Sequence, residues 1–184
     1  DTVNPLLELS RWAEPAQPTN NNWAFFMEDI WKVTPWLNLT AGMRKDWHEQ
    51  YGNQTSPRGA VLLTPIKDLT SKILYGRAFR APSFRELYVI ETSHNEDGNP
   101  DLKPEYIETI EMDLAYKILS QLNAGIGIFK NSIKDFIDVD PGIKKYNNLG
   151  EFKIQGLEPE LRFDWKDYGS AFINYTYLFK AEDE

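Results

Sequence analysis

The 184-residue sequence contains no cysteine. This absence excludes disulfide frameworks, thiolate metal sites and cysteine nucleophiles. Histidine occurs twice, and the sequence has no metalloprotease helix motif, no glycine-rich phosphate loop and no marked grouping of serine, histidine and aspartate. We therefore expect a protein that is not an enzyme and that has no cofactor and no metal site.

A surplus of basic residues is also missing, because 20 Lys and Arg stand against 28 Asp and Glu, for a formal net charge of −8. Nucleic-acid binding needs clustered basic residues, so no nucleic-acid partner is expected. No run of 18 or more apolar residues occurs, which excludes a transmembrane helix. The first residues lack the pattern of a signal peptide, and we expect the chain to be a fragment of a longer protein.

Aromatic residues, in contrast, make up 14% of the chain. Such a content does not suit a disordered tail, and membrane barrels use aromatic residues at their interfacial girdles. The mean hydropathy of −0.52 does not argue against a barrel, because barrel strands alternate apolar and polar residues and their average stays low.

Alternation with a period of two predicts several strands. In one of them Leu37, Leu39, Ala41 and Met43 share a face, and polar residues occupy the other. In another, Glu158, Glu160, Arg162, Asp164 and Lys166 share a polar face that must be wet. The predicted strands lie at about 23–33, 37–46, 58–64, 70–79, 106–118, 122–129, 157–166 and 170–179, with a ninth candidate at 136–139.

The predicted connections alternate in length. Short turns fall near Thr34, Lys67, Ser120 and Asp167, whereas the intervening connections are long, including a loop at 48–56. Residues 1–22 are also expected to form a loop, since they contain three prolines and end in three asparagines. Membrane barrels have short turns at one end and long loops at the other, so the alternation favours a barrel over a soluble sandwich.

One connection contains a predicted helical turn. Pro82 ends strand pairing because proline has no N–H to donate. Ser83 can then cap a short helix, with Glu86 at the capping-box position. Pro100 and Pro104 favour an extended approach to the strand that follows.

The same connection resembles a known family. Residues 75–88 resemble the segment that leaves an ascending strand in TonB-dependent outer-membrane receptors, and residues 98–105 resemble the signature with which that family enters its next strand. The residues that carry this resemblance are Phe79, Arg80, Ala81, Pro82, Asn99, Pro100, Leu102, Pro104 and Glu105. Weaker matches at 39–44 and 147–158 follow in the same order.

The resemblance implies an all-β fold: an antiparallel up-and-down transmembrane barrel segment, with about eight strands of a barrel of roughly 22. Residues 1–184 would then be part of a receptor barrel, with 1–22 an extracellular loop, 23–184 the barrel strands, and no counterpart of the family's plug. It further implies import, across the bacterial outer membrane, of a small molecule of the ferric siderophore, haem or cobalamin class. TonB, acting through the plug, and outer-membrane lipid would be the other partners.

Receptors of this family bind ligand with loop and upper-lumen residues. By position, the candidates are Trp47, His48, Tyr51, Arg80, Arg85, His94 and Tyr146. An anionic siderophore would need arginine donors and aromatic faces, although an arginine at a barrel rim often pairs with a local carboxylate such as Glu86 instead.

Two other classes remain open from the residues alone. Eight strands can close into a small outer-membrane barrel that serves as an adhesin or membrane enzyme. A soluble β-sandwich that binds carbohydrate would show similar alternation. Closure distinguishes these alternatives, because a small barrel pairs its first strand with its last, whereas a fragment leaves two edges unpaired.

Overall fold

The computed structural model describes residues 11–12, 21–91, 96–166 and 168–183. These residues form a large sheet, a small sheet and one short helix. The elements are β1 (Arg11–Trp12), β2 (Asn22–Thr34), β3 (Leu37–His48), β4 (Gly52–Leu63), β5 (Leu69–Arg80), α1 (Phe84–Tyr88), β6 (Val89–Glu91), β7 (Glu96–Asp97), β8 (Glu105–Lys117), β9 (Leu122–Lys134), β10 (Ile137–Asp140), β11 (Lys145–Asn148), β12 (Glu151–Trp165), β13 (Gly169–Asn174) and β14 (Tyr177–Asp183).

The large sheet is an antiparallel meander with the order β13-β12-β9-β8-β5-β4-β3-β2. β14 also pairs with β12, along the first half of that strand, whereas β13 pairs with its second half. Between them, the N–H of Tyr175 donates to the carbonyl of Pro159 at 3.1 Å, so β13 and β14 together act as one interrupted strand. The eight predicted barrel strands are therefore confirmed.

The strand register separates the large sheet into an apolar outer face and a polar inner face. One row of paired neighbours across four strands is apolar: Ile73, Met112, Ile128 and Leu157. The adjacent row, one residue along each strand, lies on the inner face: Lys72, Asp113, Gly127 and Glu158. Apolar side chains of the outer face are exposed, and a sheet with this division suits lipid on one side and water on the other.

The large sheet is open. In the described part of the chain β2 does not pair with β13 or β14, so the sheet is part of a barrel wall and not a closed eight-stranded barrel. The helix α1 has five residues, and no helix among the described residues is long and apolar enough to cross a membrane.

The strands connect at two ends, which we call the turn end and the loop end. The turn end contains the short connections 35–36, 64–68, 118–121 and 166–168. The loop end contains 49–51, 81–104 and 135–150. The predicted turn positions are confirmed, apart from Asp167, which lies outside the described residues.

The prediction of a long loop at 48–56 is wrong. β3 continues to His48, β4 begins at Gly52, and these two residues pair directly. Gly52 has a φ of 72°, which glycine adopts without strain and which allows the short connection. The polar residues that follow belong to a strand at the loop end, beyond the apolar outer-face rows, where alternation is not required. The strict alternation of short and long connections therefore fails at this position.

The small sheet has the order β1-β6-β7-β11-β10 and lies in the chain segments of the loop end. The predicted ninth strand exists as β10, but it belongs to this small sheet and not to the barrel wall. A hydrophobic core of Leu87, Leu102 and Ile137 accompanies the small sheet, with Tyr88 and Tyr146 packed against it. Most of the predicted loop 1–22 lies outside the described residues.

The predicted helix cap is confirmed. The hydroxyl of Ser83 accepts from the N–H of Glu86 at 3.3 Å, and the carboxylate of Glu86 accepts from the N–H of Ser83 at 2.6 Å. This reciprocal capping box satisfies two amide groups that a helix start otherwise leaves unpaired. It fixes the direction in which the chain leaves β5.

Candidate ligand-binding rim

A cleft of about 430 Å³ opens at the loop end, between the connection 49–51 and the start of α1. It lies on the inner-face side of β3, because His48 shares the face of Arg44 and Asp46. The lining residues are Asn22, His48, Gln50, Tyr51, Ala81, Pro82, Ser83 and Phe84. None of these side chains carries a permanent charge, so the cleft is aromatic and neutral-polar.

Two aromatic rings form the wall of this cleft. The rings of His48 and Tyr51 stack with centroids 3.9 Å apart and an interplanar angle of 7°. Tyr51 also meets Phe79, at 6.0 Å and 52°. Nδ1 of His48 accepts from the N–H of Gln50 at 3.1 Å, which fixes the imidazole. These contacts hold a flat aromatic surface in place before any ligand arrives.

The negative charge of Asp46, near the stacked rings, is compensated by Arg44. Asp46 is 1% exposed, and both of its oxygens accept from Arg44 at 2.8 Å. Burial and, to a smaller extent, the Asp46 carboxylate raise the pKa of the Tyr51 hydroxyl. Tyr51 therefore remains a neutral hydrogen-bonding group at physiological pH.

Arg80 links the elements that surround the cleft at the loop end, which we call the rim. Its guanidinium donates to both oxygens of Glu105, at 2.5 and 2.8 Å, and to both oxygens of Glu86, at 3.0 Å. Glu105 also accepts from the N–H of Ile137 at 2.6 Å. This network joins β5, α1, β8 and β10, and it occupies Arg80 with two carboxylates inside the protein. A two-carboxylate clamp of this kind positions the rim.

Two asparagine side chains link the loop-end segments by hydrogen bonds. The side chain of Asn99 donates to the carbonyl of Tyr146 at 3.0 Å. The side chain of Asn148 accepts from the N–H of Lys103 at 2.9 Å and donates to the carbonyls of Lys103 and Asp135, at 3.0 and 2.8 Å. These bonds join the approach to β8 to the connection 135–150.

Gly98 allows the close packing of this region. Its N–H donates to the carbonyl of Val89 at 2.6 Å. A Cβ atom at this position would lie 2.6 Å from the N atom of Tyr88 and 2.8 Å from the carbonyl oxygen of Leu87. Both contacts are with backbone atoms, so only glycine fits without movement of α1.

The seven ligand-binding candidates fall in different places. His48 and Tyr51 line the cleft, and Arg80 lies in the clamp, directly before the lining residue Ala81 in the chain. Trp47 lies on the outer face, paired with Trp23. Arg85 forms an ion pair with Glu96 at 3.3 Å, and Tyr146 packs on the small core. His94 lies outside the described residues.

Other cleft residues were not among the candidates. Asn22, Gln50 and Phe84 line the cleft, but polar and aromatic residues of these types occur throughout the sequence. Their positions in the chain could have identified two of them, because Gln50 lies between His48 and Tyr51, and Phe84 follows the cap residue Ser83.

The inner face below the rim is acidic. Glu111, Asp113, Glu158 and Glu160 line two adjoining clefts of about 310 and 290 Å³. Gly125 and Gly127 leave space there, since a Cβ on either would meet a carboxylate side chain within 2.9 Å. This wall is hydrophilic, as the lumen of a membrane barrel is.

An open antiparallel meander with an exposed apolar outer face, a charged inner face, short turns at one end and built loops at the other defines a wall of an outer-membrane β-barrel. A family model described as TonB dependent receptor-like, beta-barrel matches residues 5–184. The chain belongs to this family, which confirms the resemblance seen in the sequence and places the chain in the bacterial outer membrane. The family consists of receptors and transporters, in agreement with the expectation that the chain is not an enzyme.

Similar proteins agree with this assignment. The iron-regulated outer membrane virulence protein of Vibrio cholerae is 38% identical over 125 residues, which is 65% of this chain and 19% of that protein. The vitamin B12 transporter BtuB of Vibrio cholerae is 33% identical over 124 residues, or 67% of this chain and 19% of that protein. The crystal structure of the siderophore receptor PirA from Pseudomonas aeruginosa superposes with a TM-score of 0.75 at 27% identity, over 86% of this chain and 31% of PirA. The chain spans about a fifth of the length of the curated relatives it matches.

Proposed function

We propose that this chain forms wall and rim of a TonB-dependent receptor that binds a ferric siderophore at the cell surface and passes it to the periplasm. TonB would deliver the energy through a plug domain, and the outer face would contact lipid. In this arrangement the loop end and residues 1–22 face the cell exterior, and the turn end faces the periplasm. An iron-regulated relative and a siderophore receptor of the same fold support the proposal.

The observation that carries the ligand assignment is the stacked pair of His48 and Tyr51 beside Phe84 in the rim cleft. Flat aromatic rings of an iron chelate stack on such a surface without the entropic cost of ordering it. Arg85 follows the cleft residue Phe84 in the chain, and its side chain, which is 56% exposed, forms an ion pair with Glu96 at 3.3 Å. An anionic chelate would compete with Glu96 for this cation. Arg80 does not serve this purpose, because both of its carboxylate partners are supplied by the protein.

The test is ligand titration of the complete receptor, followed by its intrinsic fluorescence, with ferric enterobactin as the probe. We expect Tyr51→Ala to weaken binding about ten-fold or more, since one aromatic stacking contact and part of its packing are lost. Tyr116→Ala is the matched control, because Tyr116 lies on the outer face at the turn end. Unchanged affinity in the Tyr51 variant would contradict the assignment of the cleft.

Cobalamin is the second candidate ligand. The vitamin B12 transporter supports it, and so does the lack of a permanently charged side chain among the described lining residues, which suits a large neutral polar ligand. Parallel titrations with ferric enterobactin, haem and cyanocobalamin separate the candidates. Saturable binding of cyanocobalamin alone would replace the siderophore assignment and keep the receptor assignment.

A further inference from the structure

Three lysines lie together on the outer face of β9 and β12, at the loop-end limit of the apolar rows. Lys130 pairs with Gln155, and two residues further along the strand Ser132 pairs with Lys153. Another two residues along, Lys134 pairs with Glu151. We call Lys130, Lys134 and Lys153 the basic patch.

The basic patch begins where the apolar surface stops. Two residues before Lys130 on β9, the outer-face residue is Ile128, whose neighbours are Met112 and Leu157. Ile126 and Ala124 continue this face toward the turn end. Leu122, which pairs with Phe163, begins this face at the turn end. From Leu122 to Lys130 a strand advances about 27 Å, or about 21 Å along the barrel axis at a tilt of about 40°, which is close to the height of a lipid-facing barrel band. Lys130, which pairs with the apolar Ile110, therefore lies in the boundary row, and Lys134 and Lys153 lie beyond it at headgroup depth.

Around the patch, the described cations outnumber the described carboxylates. Lys134 lies 3.8 Å from a Glu108 oxygen, and Lys153 lies 3.5 Å from a Glu151 oxygen. Glu108 is shared with Arg77 at 3.9 Å, and Glu151 also accepts a hydrogen bond from Ser132. Lys130 is exposed. Lys180 pairs with Gln155, on the side of β12 opposite Lys130, and adds a further cation. Among the described side chains of this area, five cations thus lie near two carboxylates, in a chain whose net charge is −8.

We propose that the basic patch binds the phosphate groups of an anionic lipid in the membrane leaflet at the loop end. The patch faces away from the inner face, and it continues the surface that meets lipid hydrocarbon, so a lipid reaches it with acyl chains on the apolar rows and phosphates on the lysines. Basic residues at this depth attract anionic headgroups. The inference requires the barrel fold and does not depend on the imported ligand.

The test is native mass spectrometry of the complete receptor in mild detergent, mixed with bisphosphorylated lipid A. In the patch variant, Lys130, Lys134 and Lys153 are all changed to Gln. In the control variant, Lys67, Lys117 and Lys166, which lie at the turn end, are changed to Gln, so that both variants lose the same charge. A third variant carries Arg at the three patch positions.

We expect the patch variant to lose lipid A binding about ten-fold or more, given the contribution of each basic residue at a membrane surface. The control and the arginine variant should stay within about two-fold of the parent. Equal binding by the patch variant and the parent overturns the proposal. Equal loss in the control variant, or equal binding of phosphatidylcholine and lipid A, also overturns it. All variants are first checked for an unchanged circular dichroism spectrum.

Discussion

The small core at the loop end and the apolar rows of the outer face contain similar residues in opposite environments. Leu87, Leu102 and Ile137 are at most 6% exposed. On the outer face, Met112 is 48% exposed and Ile128 is 51% exposed. In the small core the protein must fill its own space, whereas lipid fills the space beside the outer face. An apolar side chain should therefore contribute more to stability in the small core than on the outer face.

The two regions also differ in what fixes the backbone. β8 and β9 pair without interruption from Tyr106 to Lys117, so the ladder itself holds the wall. At the loop end, bonds from the side chains of Asn99, Asn148 and Glu105 to backbone groups hold the loops. A ladder depends little on side-chain identity, whereas these bonds depend on particular residues. We expect the loop end to tolerate substitution less well.

The largest difference is expected for removal of a leucine side chain. Leu102→Ala should destabilise the loop end by about 2–5 kcal/mol, because it leaves a cavity in the small core. Leu114→Ala, on the outer face, should cost clearly less, since lipid fills the space. Hydrogen exchange of the 84–105 segment measures the first effect, and urea titration in vesicles measures the second. Similar losses in the two variants would remove the distinction between the regions.

A charged side chain should be tolerated on the inner face of the large sheet but not on its outer face. We expect Met112→Arg to destabilise the folded barrel by about 2–4 kcal/mol, because the arginine must enter hydrocarbon. Glu111→Arg, one residue away on the inner face, should have a small effect, since that side chain meets water and other carboxylates. The folded fraction in phosphatidylcholine vesicles under urea reports both. Equal tolerance of the two arginines would mean that the outer face is not lipid-facing.

Substitution of a glycine should cost more stability at the loop end, where backbone segments pack closely, than in the barrel wall. Gly98→Ala should destabilise the loop end by about 1–3 kcal/mol, because its Cβ would lie within 2.8 Å of backbone atoms of Leu87 and Tyr88. Gly76→Ala, in the barrel wall, should be nearly neutral, since nothing lies within 4 Å of the new Cβ. Local hydrogen exchange near each site is the measurement. A neutral Gly98 variant would show that α1 can move freely.

The smallest expected effect concerns the helix cap. Ser83→Ala should cost about 1 kcal/mol of local stability, because the N–H of Glu86 loses its acceptor. Ser83→Asp should retain most of it, since aspartate also caps helices. Exchange protection of the α1 amides distinguishes the variants. If alanine and aspartate behave alike, the capping box contributes nothing measurable.

The parts of the fold that the sequence predicts are those governed by local rules. The alternation of β8 follows from a lipid-facing side and a water-facing side, and it appears directly in the sequence. The capping box depends on Ser83 and Glu86, which are three residues apart. Both predictions agree with the structure because no distant contact overrides the local preference.

The parts that were missed depend on distant contacts. The start of β4 lies outside the apolar rows, so its pairing with β3 leaves no periodic trace. The small sheet joins β7 to β11, which lie far apart in the chain, and the bonds of Asn148 link the same segments. His48 and Tyr51 were expected near ligand by position, but their stacking required the three-dimensional arrangement of the connection 49–51.

The most direct test of the account is the accessibility of β8 in a bilayer. These 184 residues contain no cysteine. Once any cysteine elsewhere in the complete receptor is replaced, spin labels can be attached to single cysteines introduced at residues 110 to 114, one at a time, in vesicles. Power saturation with oxygen and with a water-soluble nickel complex then measures exposure to lipid and to water. We predict strict alternation, with Ile110, Met112 and Leu114 facing lipid and Glu111 and Asp113 facing water. Equal exposure to the nickel complex at all five positions would contradict the assignment of this sheet to a membrane barrel wall.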